Sequence, residues 1–275
     1  MEGPKVFFAD RNFNEQSMHT ANTLIVPLVS SGNVGQLAID LVLKAGFEEK
    51  FSVEKAGTID SEDILPVAGY DCYKEREVSL CTNAEVFLAE DKRAVILQIR
   101  APVVQGREAS FSKSLLSWAK EVGFEQVLVL AGASSDQSHE DAHGVIFHPC
   151  WTMNHHADKN PCSLTDSLKT SEFSTLPLTS APAPEDQKQP YSDLPQGSGI
   201  CKHFFKAGDD LELPVVGLLK HCKEGNNLQD GIELASSLNQ IIPFINQANE
   251  QEGGMLNWSF PASWHSIFGC VSESI

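Results

Sequence analysis

Clustered basic residues are absent from this sequence of 275 residues, in which 20 Lys and Arg stand against 37 Asp and Glu. The formal net charge is −17. Because neutralising nucleic-acid phosphates requires clustered Lys and Arg, the composition excludes nucleic acid as the expected partner. The acidity favours a soluble protein, and an acidic face that meets a basic partner is the second interpretation.

Long apolar runs and paired cysteine motifs are also absent. No run approaches the roughly 20 apolar residues that cross a bilayer, and no apolar signal region follows the opening MEGPK. We therefore expect a protein without a membrane span or a recognisable secretory signal, located in the cytoplasm and nucleus. The seven cysteines are scattered and never form C-x-x-C, which predicts reduced thiols rather than a disulfide framework.

A strand, a turn and a helix follow one another without a gap near the start of the chain. Leu24–Val29 predicts a buried strand, Ser30–Asn33 its exit turn, and the apolar spacing from Val34 to Ala45 an amphipathic helix. The turn lacks the third glycine of a dinucleotide fingerprint and the Lys-Ser/Thr pair of a phosphate loop. We therefore predict a structural turn made by Gly32, Asn33 and Gly35, with no cofactor. Gly32 is predicted to turn the chain, and Gly35 to let the helix pack close to the strand.

Strands and helices alternate over the rest of the chain. The pattern predicts further strands at 78–80, 84–88, 94–99, 126–130 and 214–219, and helices at 111–122 and 228–242. The first three of these strands are predicted to form a meander. The helices end at Gly123 and before Pro243. This organisation predicts one α/β domain over residues 1–275, with a central β-sheet flanked by helices.

Periodicity is lost between Ala157 and Gly199, where six prolines fall among Ser, Thr, Asp and Gln. Such a composition buries too little apolar surface to offset the entropy of ordering. We therefore predict a mobile insert over 157–199 that offers no face to the core and takes no part in chemistry.

The most literal enzymatic motif is H-E-x-x-H, formed by His139, Glu140 and His143. This spacing places two zinc ligands on one face of a helix, with the glutamate as a base. Its Gly/Ser-rich flanks would make that helix short and polar, however, and the neighbouring His and Cys residues lack standard four-ligand spacing. We expect a polar loop without metal, and a metal-dependent hydrolase is the alternative.

Loops at the carboxyl ends of strands are the places where an α/β enzyme binds small ligands. A nucleoside-phosphorylase-like enzyme would need a basic residue there, and neither Ser30–Asn33 nor Ala131–Ser135 contains one. The sequence also lacks a G-x-S-x-G elbow. We therefore predict a binding protein without catalytic residues, and the phosphorylase-like enzyme is a second alternative.

Aromatic residues are concentrated near the end of the sequence, at Trp258, Trp264 and Phe268. They are candidates for partner binding, because aromatic residues dominate interface hot spots, but they also dominate cores. The spacing favours the core for Trp264, and Trp258 is the better candidate for the surface.

Seven short segments together resemble the proteasome assembly chaperone 2 family. They are SGNVGQLAIDL at 31–41, ILPVAG at 64–69, NAEVF at 83–87, LLSW at 115–118, VLVL at 127–130, EGNN at 224–227 and PASWHSIFG at 261–269. The ordered set is more specific than any one segment, and it covers most of the chain outside 136–195.

The resemblance implies a single α/β domain that acts by binding rather than catalysis. It implies a heterodimer with proteasome assembly chaperone 1 that binds α subunits, promotes formation of the α ring of the 20S proteasome and prevents premature pairing of rings. Some members of the wider family end in a hydrophobic residue, a tyrosine and a final residue. This chain has Ser274 at the penultimate position, which argues against docking by its tail.

Overall fold

The structure is a computed structural model that describes residues 6–70, 73, 80–134, 147–152, 162–170, 191, 194–246, 258–262, 264 and 268. Its strands are β1 (Phe7–Ala9), β2 (Thr23–Pro27), β3 (Glu54–Ile59), β4 (Ala68–Tyr70), β5 (Leu80–Thr82), β6 (Ala84–Ala89), β7 (Ala94–Ile99), β8 (Gln126–Ser134), β9 (Phe147–Trp151) and β10 (Val215–Cys222). Its α-helices are α1 (Val34–Phe47), α2 (Glu108–Val122), α3 (Ser163–Thr170), α4 (Cys201–Leu211) and α5 (Leu228–Ile241).

Eight of these strands form one mixed sheet in the order β1-β3-β6-β7-β2-β8-β10-β9. The four inner strands β7, β2, β8 and β10 are parallel, and the strands outside them run antiparallel to their neighbours. Parallel strands are covered on both faces and therefore read as continuous apolar runs. The run Leu24–Val26 in β2 is fully buried, as that rule requires.

Helices cover both faces of the sheet. On one face α2 packs against α4, and on the other α1 packs against α5 and α3 against α5. Each layer has its own cluster of buried apolar side chains against the sheet. The predicted single α/β domain with a central sheet flanked by helices is therefore confirmed.

Most predicted elements are present with small shifts at their ends. The helix expected at 111–122 begins three residues earlier as α2 and ends at Gly123, whose φ of 95° and N–H bonds to the last carbonyls close the helix. The helix expected at 228–242 is α5, which ends at Ile241. The strand expected at 126–130 continues to Ser134 as β8.

The predicted meander of three strands is wrong at its first strand. Leu80 belongs to β5, which pairs with β4 in a separate sheet of two strands, while β6 and β7 pair as expected. The strand pairing changes from the small sheet to the main sheet at Asn83, between β5 and β6. The carbonyl of Asn83 accepts a hydrogen bond from the Arg100 N–H. Residues 78 and 79 lie outside the described residues.

Part of the predicted insert is an element of the core. Helix α3 buries Leu164 and Leu168 against the cluster that contains α1 and α5. Its first turn is tied to β8, because the Gln126 side chain accepts from the Leu164 N–H at 3.2 Å and donates to the Ser163 hydroxyl at 2.7 Å. The expectation of no core face is therefore wrong for this helix. Two leucines on adjacent turns are enough to attach a short helix to the core when neighbouring elements supply the apolar surface against which they pack.

The end of the same segment also packs on the sheet. The carbonyl of Gly197 accepts from the Ser31 N–H, and that of Gln196 accepts from the Ser134 N–H, both at 2.8 Å. Residues 171–190, which contain most of the prolines, lie outside the described residues, so the predicted mobility there stays a prediction.

The five cysteines that the structure describes are all free thiols. Burial raises the pKa of Cys201 to about 12 and that of Cys222 to about 11, so both are protonated at neutral pH. Among the described residues, no helix is both long and apolar enough to cross a membrane.

Candidate partner-binding surface

The turn after β2 has the geometry that its glycines permit. Gly32 has φ of 66° and Asn33 of 50°, both in the left-handed region. A Cβ added to Gly35 would lie 2.6 Å from the carbonyl oxygen of Leu130 on β8. The close approach that this glycine allows is therefore made chiefly to β8, the neighbour of the preceding strand in the sheet.

The chain itself occupies the carboxyl ends of β2 and β8, where an α/β enzyme would bind its ligand. The N–H groups of Ser31 and Ser134 donate to the carbonyls of Gly197 and Gln196, and the Gly132 N–H donates to the Ser30 hydroxyl at 2.7 Å. Backbone N–H groups of this kind hold phosphate in nucleotide-binding folds. Here they are already used, which speaks against the phosphorylase-like alternative at this place.

The motif residues His139, Glu140 and His143 lie outside the described residues, so the metal-dependent hydrolase stays an alternative that the structure does not address. Within the described ranges, no group of three His, Cys, Asp or Glu side chains is arranged to hold a metal ion.

The aromatic residues near the carboxyl end pack against the body of the protein. Trp258 is 5% exposed and donates its indole N–H to the Ser236 hydroxyl on α5 at 3.0 Å. Trp264 is 1% exposed, stacks on Phe260 and meets half-buried Phe268 edge to face. The preference for Trp258 as a surface residue is wrong, because α5 supplies both apolar cover and a hydrogen-bond acceptor for the indole.

Exposed apolar side chains lie instead on the small sheet of β4 and β5 and on the segment that leads into β4. The exposed fraction is 45% for Leu65, 46% for Val67, 75% for Tyr70 and 66% for Leu80. Tyr70 and Leu80 are direct cross-strand partners, and they share one face of the small sheet. We call this element the arm: residues 65–70 and β5. Exposed apolar surface of this kind marks interaction sites.

The base of the arm is fixed to the segment that follows β7. Ile64 forms an isolated bridge with Val103. The Leu65 N–H donates to the carbonyl of Pro102 at 3.2 Å, and the Val104 N–H donates to that of Asp63 at 2.8 Å. The arm therefore leaves the body beside the carboxyl end of a central strand.

Tyr73 anchors the chain between the two strands of the arm. It is 2% exposed, and its hydroxyl donates to the Asp40 carboxylate at 2.7 Å and accepts from Arg100 at 2.6 Å. Its ring stacks on Phe47 with centroids 5.4 Å apart, and its carbonyl accepts from Lys44 at 3.3 Å. One buried side chain thus joins the segment between β4 and β5 to helix α1.

The Asp40 carboxylate is the centre of this attachment. It accepts hydrogen bonds from Tyr73, from the Gln98 amide at 2.6 Å and from the Arg100 guanidinium at 2.9 Å. Gln98 also donates to the carbonyl of Gln36 at 3.0 Å. We call these side chains the Asp40 network. It connects α1, the end of β7 and the segment between β4 and β5 through the buried carboxylate of Asp40.

Sequence reasoning missed the arm and the Asp40 network, although two signals were present. Asp40 and Lys44 are charged residues, one helical turn apart, inside a helix whose other residues predict burial. Gln98 is a polar residue inside an apolar strand. Buried polar residues are almost always hydrogen-bonded, so such exceptions point to a network.

A second buried carboxylate, that of Glu85 on β6, lies near this network. It is 2% exposed and accepts from Lys55 at 2.6 Å. Burial raises the pKa of Glu85, and the positive charges of Lys55 and Arg100 oppose the rise. Because the folded pKa is raised, protonation of Glu85 favours folding, and its stabilisation is lost as pH rises through the folded pKa.

The variant Lys55→Met is therefore expected to lower the free energy of unfolding by about 3 kcal/mol at neutral pH, since it leaves a buried charge unpaired. The loss relative to the unmodified chain should shrink near pH 5, where Glu85 takes up a proton more readily. Urea denaturation at both pH values measures the effect. In the control, Lys55→Met with Glu85→Gln, the pH dependence should disappear, and an equal loss at both pH values for Lys55→Met alone would contradict the assignment.

The amino-acid sequence of this chain is similar to those of known proteins. The sequence profile of the PAC2 family matches residues 24–242. The chain is 30% identical over 261 residues to Proteasome assembly chaperone 2 of Xenopus laevis, covering 93% of this chain and 95% of that protein. It is 31% identical over 252 residues to Proteasome assembly chaperone 2 of Bos taurus, covering 90% and 91%.

Solved structures share the fold. Pyrococcus furiosus PbaA, an archaeal homolog of proteasome-assembly chaperone, aligns with a TM-score of 0.56 at 13% identity, covering 86% of this chain and 82% of that one. Pyrococcus furiosus PbaB, an archaeal proteasome activator, aligns with a TM-score of 0.55 at 13% identity, covering 88% and 86%. At these identities the likeness establishes the architecture alone.

Proposed function

The chain belongs to the PAC2 family, and from that membership we propose that it is a chaperone for assembly of the 20S proteasome. It works as one half of a heterodimer with proteasome assembly chaperone 1. The heterodimer binds α subunits, promotes formation of the α ring and keeps rings from pairing prematurely. Its site of action is the cytoplasm and nucleus.

The observation that carries this proposal is likeness over nearly the full length of the curated relatives. The alignment with the Xenopus laevis protein covers 95% of that protein, and the family profile spans residues 24–242, a range that contains the arm and Tyr73. These relatives are named for proteasome assembly, and a shared binding surface requires the whole domain rather than a local motif.

The geometry suits binding followed by release. An assembly chaperone has to cover a surface of its client and leave later, so its contact must be specific but displaceable. The arm offers a few exposed apolar side chains on a body whose helices and sheet are closed around two apolar clusters. Such a surface fits recognition of a protein and requires no catalytic group.

Co-expression with proteasome assembly chaperone 1 tests the proposal. Size-exclusion chromatography with light scattering should show a complex of one chain of each protein, and the immobilised complex should retain proteasome α subunits but not β subunits. A chain that elutes alone, or a complex that retains no α subunit, would contradict the proposal.

A further inference from the structure

We propose that the arm is the surface that docks on the proteasome client, an α subunit that presents an apolar patch rimmed by Lys and Arg. This inference rests on the proposed function and adds to it the location of the contact and the chemistry of the partner. It follows from the exposure of the arm, the charge at its base and the way it is anchored.

Exposure supplies the attractive part of the contact. The four apolar side chains of the arm are 45–75% exposed, and Tyr70, the most exposed of them, is of a residue type enriched at interface hot spots. Tyr70 and Leu80 stand side by side across the ladder, so one partner surface can cover both.

Acidic residues lie at the base of the arm, in the segment 60–63. Asp60 and Glu62 are exposed, and Asp63 between Glu62 and the arm is buried. Among the residues that the structure describes, the cation paired with this group is Arg107, whose guanidinium is 3.8 Å from Glu62 and 3.6 Å from Asp63. The balance of charge among the described residues at the base of the arm is therefore negative, like the net charge of −17 for the whole sequence. Like charges at an interface are disfavoured, so the rim selects a basic partner over a second copy of this chain.

The small extent of the apolar surface points to the client rather than to the permanent partner. Obligate interfaces are large and resemble a domain core, whereas transient contacts are smaller and more polar. A surface of four apolar side chains with an acidic rim belongs to the second class. The sister chaperone should therefore bind elsewhere on the chain.

Anchoring prepares the arm for binding. A hairpin of two short strands is marginal by itself in water. Here the buried Tyr73 holds the chain between β4 and β5 against Asp40 and Arg100. A surface held in place before binding loses less conformational entropy when its partner arrives. Tyr73 is thus a positioning residue for the contact.

The double variant Tyr70→Asp with Leu80→Asp tests the proposal in the heterodimer. Its affinity for purified α subunits, measured by biolayer interferometry, should fall by at least about tenfold, because interface anchors of this kind carry most of the binding energy. Its affinity for proteasome assembly chaperone 1 and its thermal unfolding midpoint should not change. The control variant Lys202→Gln with Lys206→Gln also lowers the net charge by two, at exposed positions on α4, and should bind normally.

The rim has its own test. Glu62→Lys should slow association with α subunits at low salt and have little effect at high salt, because exposed charges act mainly on encounter. If the unmodified heterodimer binds α subunits and the arm variant binds them equally well, the arm proposal is overturned and the proposed function stands. The arm proposal would also be overturned if the arm variant lost binding to the sister chaperone but retained binding to α subunits. If the unmodified heterodimer binds no α subunit, the proposed function itself fails.

Discussion

Replacing Asp40 with alanine is expected to lower the free energy of unfolding by about 3–5 kcal/mol, the range for breaking a buried ion pair. The carboxylate accepts hydrogen bonds from three side chains, and its removal takes away the ion pair with Arg100 and leaves two buried donors, on Gln98 and Tyr73, with fewer acceptors. Domains of this kind have a total stability of only about 5–15 kcal/mol. Urea denaturation followed by circular dichroism would measure the loss.

The conservative variant Asp40→Asn is the matched control. It keeps the size of the side chain and one acceptor oxygen, so the expected loss is smaller, about 1.5–3 kcal/mol, the range for a hydrogen bond to a charged group. The variant Tyr73→Phe should also lose less than Asp40→Ala, because the ring contacts with Phe47 and Phe87 remain. A loss below 1 kcal/mol for Asp40→Ala would contradict the central place given to this carboxylate.

Replacing Leu164 and Leu168 together with alanine is the second change with a large expected effect. Both leucines are buried, at 3% and 7% exposure, and each such truncation in a core costs about 2–5 kcal/mol. We expect the double variant to lose about 4 kcal/mol, measured by denaturant unfolding. Removing them exposes the part of the second apolar cluster that α3 covers.

The exposed Lys113 on α2 provides the control. Lys113→Gln should change stability by no more than about 0.5 kcal/mol, as surface substitutions usually do. A double leucine variant as stable as this control would show that α3 adds nothing to the core. The original expectation for the segment 157–199 would then hold for its helix as well.

The elements that were predictable from sequence are those whose signal is local and long. The apolar run of β2, the turn at Gly32 and the helical periodicity of α1 follow one another, and each constrains the next. Helices α2 and α5 were predicted for the same reason, with ends marked by Gly123 and Pro243.

Helix α3 was missed because its signal is short. It contributes two buried leucines, and the groups that hold it belong to Gln126 and to α5, which are distant in the sequence. Tertiary contact decides such an element, and composition does not reveal it. Because prolines follow this helix in the sequence, the whole segment 157–199 was interpreted as a single mobile insert.

The arm was missed because β4 and β5 are only three residues each and pair across an intervening segment. Leu80 could be read equally well as the start of a meander. Trp258 illustrates the converse problem, because the same residue type serves cores and interfaces. Only the position of Ser236 on α5 shows that its indole is buried and bonded.

Complementation tests the central claim most directly. The chain would be expressed in cells depleted of their own proteasome assembly chaperone 2, with assembly read on native gels as the ratio of finished core particles to half-assembled intermediates. The double variant His139→Ala with His143→Ala, run in parallel, should behave like the unmodified chain, since binding needs neither histidine. We expect the unmodified chain to restore finished particles. A chain that is expressed and folded but leaves the intermediates in place would contradict the account.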